Sequence, residues 1–123
     1  MTALAVAAAG AAGALARYAL GGWIARRSAS GLPLETLVIN VSGSLALGLV
    51  FVLLTERIVV HPSLRTSITV GFLGAYTTFS TFSLETLRLI EDGAVALAVT
   101  NVAASVIAGL VAVYLGVVIA RAL

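Results

Sequence analysis

Gly71-Phe72-Leu73-Gly74-Ala75-Tyr76-Thr77-Thr78-Phe79-Ser80-Thr81-Phe82-Ser83-Leu84-Glu85 lies inside a long apolar segment. It carries two glycines, five Thr and Ser hydroxyls, and Phe79 and Phe82 three positions apart. A helix that only faces lipid has no use for so many hydroxyl and backbone-loosening groups. In hydrocarbon every freed backbone polar group needs a partner, so irregular chain survives only inside protein or beside a watery cavity. The stretch is expected to break a membrane helix and to line a path or an ion site.

The rest of the chain agrees with a membrane setting. Of 123 residues, 61% are hydrophobic and 10% charged, against roughly 25% charged in soluble domains. The mean hydropathy is +1.16. With no cysteine, disulfides, thiolate metal sites and cysteine nucleophiles are excluded. The seven basic residues are all arginine, and Arg26-Arg27 is their one adjacent pair. A nucleic-acid partner would want a basic cluster, so interfacial anchoring accounts better for these charges, and no nucleic-acid partner is expected.

Four apolar segments appear, at 2–25, 34–55, 64–90 and 94–120. Each reaches the roughly 20 residues that span a bilayer, and together they predict one four-helix transmembrane domain over 1–123. The first lacks a basic n-region and is too long for a signal peptide's apolar core, so it reads as a retained helix. Pro33 and Pro62 stand at or just before helix starts, where a missing N–H costs nothing. The third segment would measure roughly 40 Å as continuous helix, more than a hydrocarbon core of roughly 30 Å. A break at 74–78 relieves the excess. It also frees carbonyl oxygens, which suit a hard cation. The resumed helix begins near Thr78, and its N–H groups carry partial positive charge toward the break.

With four spans, Arg57, Arg65 and Arg121 fall on one side and Arg26, Arg27 and Arg88 on the other. Loop arginine excess normally sets orientation, and here there is none. Two readings stay open. Either the chain inserts both ways and pairs as an antiparallel dimer about an axis in the membrane plane, or a subtler signal fixes one topology.

Several polar residues sit within the spans. Arg17 is either an anion-attracting vestibule residue or a structurally paired arginine, since a membrane charge is normally paired or hydrated. Asn40 offers amide donors, either to a dehydrating anion or to a neighbouring helix. Phe79 and Phe82 share a helix face. Their electropositive ring edges flank an anion in one reading and pack a core in the other. Asn101, Ser105 and Gly109 share a face of the last segment, as a polar track or as interhelical glue. Lone His61 is no metal site, no catalytic Ser/His/Asp set is placed to work, and no phosphate-binding glycine pattern occurs. An enzyme is not expected.

The run Gly71-Phe72-Leu73-Gly74 with Thr77-Thr78-Phe79-Ser80-Thr81-Phe82 resembles the signature of the Fluc (CrcB) fluoride channels. Gly10–Gly13–Ala14–Arg17–Tyr18 and Asn40-Val41-Ser42-Gly43-Ser44 match as well, so the resemblance covers the whole chain. It implies an all-α integral membrane protein with four transmembrane helices per subunit, the third broken near its centre, in an antiparallel dual-topology homodimer. It implies two fluoride pores that relieve fluoride toxicity by passive export across a bacterial cytoplasmic membrane. By position, Phe79 and Phe82 would be the pore phenylalanines. Asn40 would hydrogen-bond fluoride, and Ser80 and Thr81 would present hydroxyls near the pathway. Asn101 and Ser105 would form the polar track, and Arg17 would sit near a vestibule. The backbone carbonyls of Gly74 and Thr77 would hold a structural sodium ion. Gly109 lacks the hydroxyl that some relatives carry.

Two rivals predict different residues. A small multidrug exporter is also a four-span, dual-topology protein, but it needs a membrane-embedded glutamate in its first helix, where this chain has Arg17. A non-transporting assembly subunit would have no reason for the Thr/Ser/Phe stretch.

Overall fold

A computed structural model describes all of residues 1–123, and all its regular structure is helical. In chain order the elements are α1 (Thr2–Ala25), α2 (Leu34–Val52) with a π-helical extension Leu53–Arg57, α3 (Pro62–Thr66), a second π-helical segment Ser67–Leu73, α4 (Gly74–Tyr76), α5 (Phe79–Glu91) and α6 (Val95–Ala122). Three helices are long and apolar enough to cross a membrane: Thr2–Ala25, Leu34–Arg57 and Val95–Ala122. The chain is a helical membrane protein. The apolar segment 64–90 is shared among four shorter pieces, of which the longest, α5, has 13 residues.

Local chemistry explains the ends of these pieces. Pro62 occupies the first turn of α3, and His61 caps it by accepting a hydrogen bond from the Ser63 N–H at 3.2 Å. At the far end, α5 stops at Gly93, whose φ of 76° lies in the left-handed region. There the Ala94 N–H reaches the Leu89 carbonyl at 2.8 Å and the Gly93 N–H reaches that of Ile90 at 3.0 Å. This paired closure satisfies carbonyls that a helix end leaves bare, and it turns the chain directly into α6.

Packing depends on backbone approach more than on large side chains. Only 14 of 123 residues are buried, and six of those form the apolar core: Ile39, Val52, Leu73, Ala98, Ala112 and Ala120. Most large apolar side chains therefore face outward, as suits a hydrocarbon solvent. The most extensive helix contact joins α2 to α6. A Cβ on Gly48 would strike the Val113 carbonyl, and one on Gly116 would strike the Leu45 carbonyl. On the other flank α1 leans on the segment before α4. Gly13 lies against the Phe72 carbonyl, and a Cβ on Gly71 would come within 2.8 Å of the Val6 carbonyl. Small residues at such crossings let dispersion and close packing replace the missing hydrophobic drive in lipid.

The ends of the bundle carry the charges. The Arg121 guanidinium meets Glu56 at 3.0 Å, and Arg57 donates to the Arg121 carbonyl, tying the end of α6 to the end of α2. At the opposite end Arg27 lies 4.3 Å over the Trp23 ring, an aromatic–cation pair of the kind that sits at a membrane–water boundary.

Candidate functional site

Within the expected 74–78 stretch, the departure from helix is confined to Thr77 and Thr78. Their dihedrals are φ −84°, ψ 161° and φ −152°, ψ 118°, both extended. Gly74 itself is helical, with φ −63° and ψ −36°. The cause of the interruption comes from α2. The Thr78 N–H, which a continuous helix would direct to the Gly74 carbonyl, donates instead to Asn40 Oδ1 at 2.8 Å. Asn40 Nδ2 donates back to the Thr78 carbonyl at 2.9 Å. One carboxamide thus imitates a strand partner and satisfies both polar groups of an extended residue.

Neighbouring contacts hold the joint in place. Thr78 Oγ1 caps α5 by accepting from the Thr81 N–H at 3.3 Å. Thr77 closes the end of α4 by donating both its N–H and its hydroxyl to the Leu73 carbonyl, at 3.1 and 3.0 Å. The Tyr76 hydroxyl pairs with Ser42 Oγ at 2.8 Å. Gly43 leaves room for the Thr77 methyl and the Tyr76 ring, and a Cβ there would collide with that methyl. The run Asn40-Val41-Ser42-Gly43 is therefore the surface on which the interruption rests.

Beside the joint lies a cleft of about 340 Å³. Its polar lining includes Asn40, Ser44, Thr77, Thr78 and Ser105, and its apolar lining includes Phe79 and Phe82. The two rings stand 5.6 Å apart at 45°. Phe79 is 79% exposed on the single chain. One hydrogen of the Asn40 amide is bound to Thr78, and the other has no acceptor within the chain. The Ser105 hydroxyl makes no hydrogen bond within the chain, whereas Ser44 is spent on the Asn40 carbonyl at 2.7 Å. Free amide and hydroxyl donors beside two aromatic rings suit a small anion held by several weak contacts.

Among the residues singled out from the sequence, the cleft gathers Asn40, Phe79, Phe82, Ser105, Gly74 and Thr77. Ser80 and Thr81 are exposed and lie outside it. Their hydroxyls join the cap through Thr78 Oγ1, at 3.3 and 3.0 Å. Asn101 is also outside it. Only 2% exposed, it donates to Thr86 Oγ1 at 2.9 Å, and Thr86 donates to the Phe82 carbonyl at 2.8 Å. It therefore anchors α6 to the phenylalanine-bearing helix. Gly109 faces Ser44, whose Oγ lies 3.8 Å from where its Cβ would stand. Arg17 is half-buried on α1, with no ion pair within the chain.

Five residues make contacts that the sequence reading did not assign. Thr78 is the capping residue of α5 and the extended residue that Asn40 holds. Thr86 links Phe82 to Asn101. Tyr76 and Ser42 brace the joint. Glu85 accepts from Thr36 Oγ1 at 2.8 Å, and its other carboxylate oxygen is buried without a partner. The four-residue spacing of Phe82 and Thr86 was a usable signal for the second of these. The others depend on which helices meet.

An all-helical membrane chain whose interrupted helix borders a donor-lined, aromatic-flanked cleft defines a class of small polytopic membrane proteins built around a helix joint. Residues 4–117 match the family described as CrcB-like protein, Camphor Resistance (CrcB), and the chain belongs to that family. It is 45% identical to a protein of Citrifermentans bemidjiense, over 93% of this chain and 92% of the relative. It is 46% identical to one of Solibacter usitatus, over 96% and 97%, and 43% identical to one of Geotalea uraniireducens, over 99% and 98%. Each of these relatives is named fluoride-specific ion channel FluC.

Proposed function

We propose that this chain forms a passive, fluoride-selective channel that exports fluoride across a bacterial cytoplasmic membrane and so relieves fluoride toxicity. The observation that carries the reading is the cleft that joins Asn40, Ser105, Phe79 and Phe82 beside the Thr77–Thr78 interruption. The names of its relatives agree with it. In this reading 64–90 crosses the membrane as a fourth, broken span, and 1–123 acts as one four-helix unit. Two copies assemble in opposite orientations, which the even distribution of arginines permits.

Fluoride is small and strongly hydrated, so a route must replace its water with donors. The unspent Asn40 N–H and the Ser105 hydroxyl supply them in the cleft. Ser80 and Thr81, exposed on the single chain, supply them where a second copy would close the path. Ring edges of Phe79 and Phe82 add contacts too weak to trap the ion, and weak, multi-site binding is what conduction requires. Asn101 acts through Thr86 to place Phe82. Arg17 draws anions toward the entrance without gripping them in the route.

The joint also fits a structural cation. The Thr78 N–H is diverted to Asn40, so the Gly74 carbonyl loses its helical donor, and the Thr77 carbonyl belongs to an extended residue outside the helix. Oxygen ligands of this type suit a hard ion. The Gly74 and Thr77 carbonyls of two copies would hold sodium, which would neutralise their dipoles and pin the copies together.

The test is fluoride efflux from liposomes that carry the purified protein. Fast fluoride efflux with little chloride efflux is expected. No efflux, or equal chloride efflux, would sink the reading.

A further inference from the structure

A second cavity, of about 250 Å³, lies at the end of α2 and its π-helical extension and shares no lining residue with the cleft at the joint. Its lining includes Thr55, Glu56, Arg57, Val59 and Arg65. At roughly 30 Å³ per water, it has room for several waters or one tetrahedral anion. Two of its wall residues are arginines; Arg57 shares the field of neighbouring Glu56, whereas Arg65 has no acidic partner within the chain. Glu56, its one acid, is engaged by Arg121 through two guanidinium nitrogens, at 3.0 and 3.3 Å. Arg57 spends one of its five donors on the Arg121 carbonyl. The Arg65 guanidinium forms no hydrogen bond or ion pair within the chain.

Position narrows the ligand. The apolar span Leu34–Arg57 ends at this cavity, which sets it at the depth of lipid headgroups. Basic residues just outside a span attract anionic lipid, and guanidinium donors match phosphate oxygens in geometry. The opposite end of the bundle offers no equivalent. The cavity there includes Glu85 and Asp92 beside its single arginine, Arg88, and Arg27 is stacked on Trp23.

We propose that the cavity lined by Arg57 and Arg65 binds the phosphoryl group of an anionic lipid. The site is independent of which ion the chain conducts. It makes one end of each copy an anionic-lipid anchor and leaves the other end without one.

The experiment is native mass spectrometry of the full chain from nanodiscs with graded phosphatidylglycerol in phosphatidylcholine. Arg65→Gln is the main variant, because this side chain makes no hydrogen bond or ion pair within the chain. Phosphatidylglycerol retention should fall about fivefold with it, and further with Arg57→Gln added. Arg27→Gln at the opposite end should leave retention unchanged. Displacement by millimolar inorganic phosphate would assign the phosphoryl site to the free ion and overturn the lipid assignment. Equal retention in wild type and Arg65→Gln, or equal retention of the two lipids, would overturn the site itself. A photoactivatable phosphatidylglycerol on the wild-type protein gives a check that does not depend on any variant folding. Cross-links should concentrate within 54–65, and an even spread along the lipid-facing helices would count against the proposal.

Discussion

Asn40 does two kinds of work with one side chain. Its oxygen and one amide hydrogen satisfy both backbone groups of Thr78, and its remaining hydrogen borders the cleft. Replacing it with alanine strands an N–H and a carbonyl, each at a cost of about 1–3 kcal/mol. Asn40→Ala should therefore lower the thermal unfolding midpoint in detergent and abolish fluoride efflux together. Asn101→Leu makes a useful contrast. It cuts one tie between α6 and Thr86, for about 1 kcal/mol, and should slow efflux without abolishing it. Thr78→Val removes the cap of α5, at about 1 kcal/mol, while Thr78→Ser keeps the hydroxyl. A midpoint that falls for valine and holds for serine is the expected pattern in the same unfolding assay. Phe79→Ile and Phe82→Ile keep bulk but lose the ring edge, so efflux should collapse with little change in stability. Intact efflux in both would show that the rings only pack.

At the scale of elements, the joint shows what a sequence can and cannot disclose. The length excess of 64–90 and the hydroxyl-rich run point to an interruption and nearly locate it. They do not say what makes it. Glycine is the usual suspect, yet Gly74 keeps helical dihedrals and Gly71 serves close packing against α1. The helix ends at Tyr76 because a carboxamide from another helix offers the Thr78 backbone a better partner. That contact joins residues 38 positions apart, and no local propensity encodes it. The same limit applies to Asn101. Its spacing from Ser105 is plain in the sequence, but its burial against Thr86 follows from how α5 meets α6. The glycine crossings make a prediction at this scale. Gly48→Leu or Gly116→Leu would force α2 and α6 apart, and overpacking of this kind costs about 1–3 kcal/mol or more. Either should cut the yield of monodisperse protein on size-exclusion chromatography, whereas Gly109→Ser, in open contact, should not.

For the whole molecule, the exposed apolar exterior and the small core were legible from composition. How two copies meet is not encoded in any single chain's pattern, because an even arginine tally permits both orientations without requiring their union. Cysteine labelling of loop positions from both sides of the membrane should find both orientations in one preparation. If the proposed sodium-bridged dimer holds, replacing sodium with an organic cation during reconstitution should reduce fluoride efflux and shift the protein to a smaller species on size-exclusion chromatography, and efflux unchanged under sodium-free conditions would remove the cation from the proposal. The notch that receives α6 bears on biosynthesis. α2 is synthesised before α6, the helix that fills the groove at Gly48. Until then the groove stands open to lipid or to a neighbouring nascent chain. The bundle therefore closes only once α6 has been made, so α2 must keep its small-residue face compatible with lipid until then.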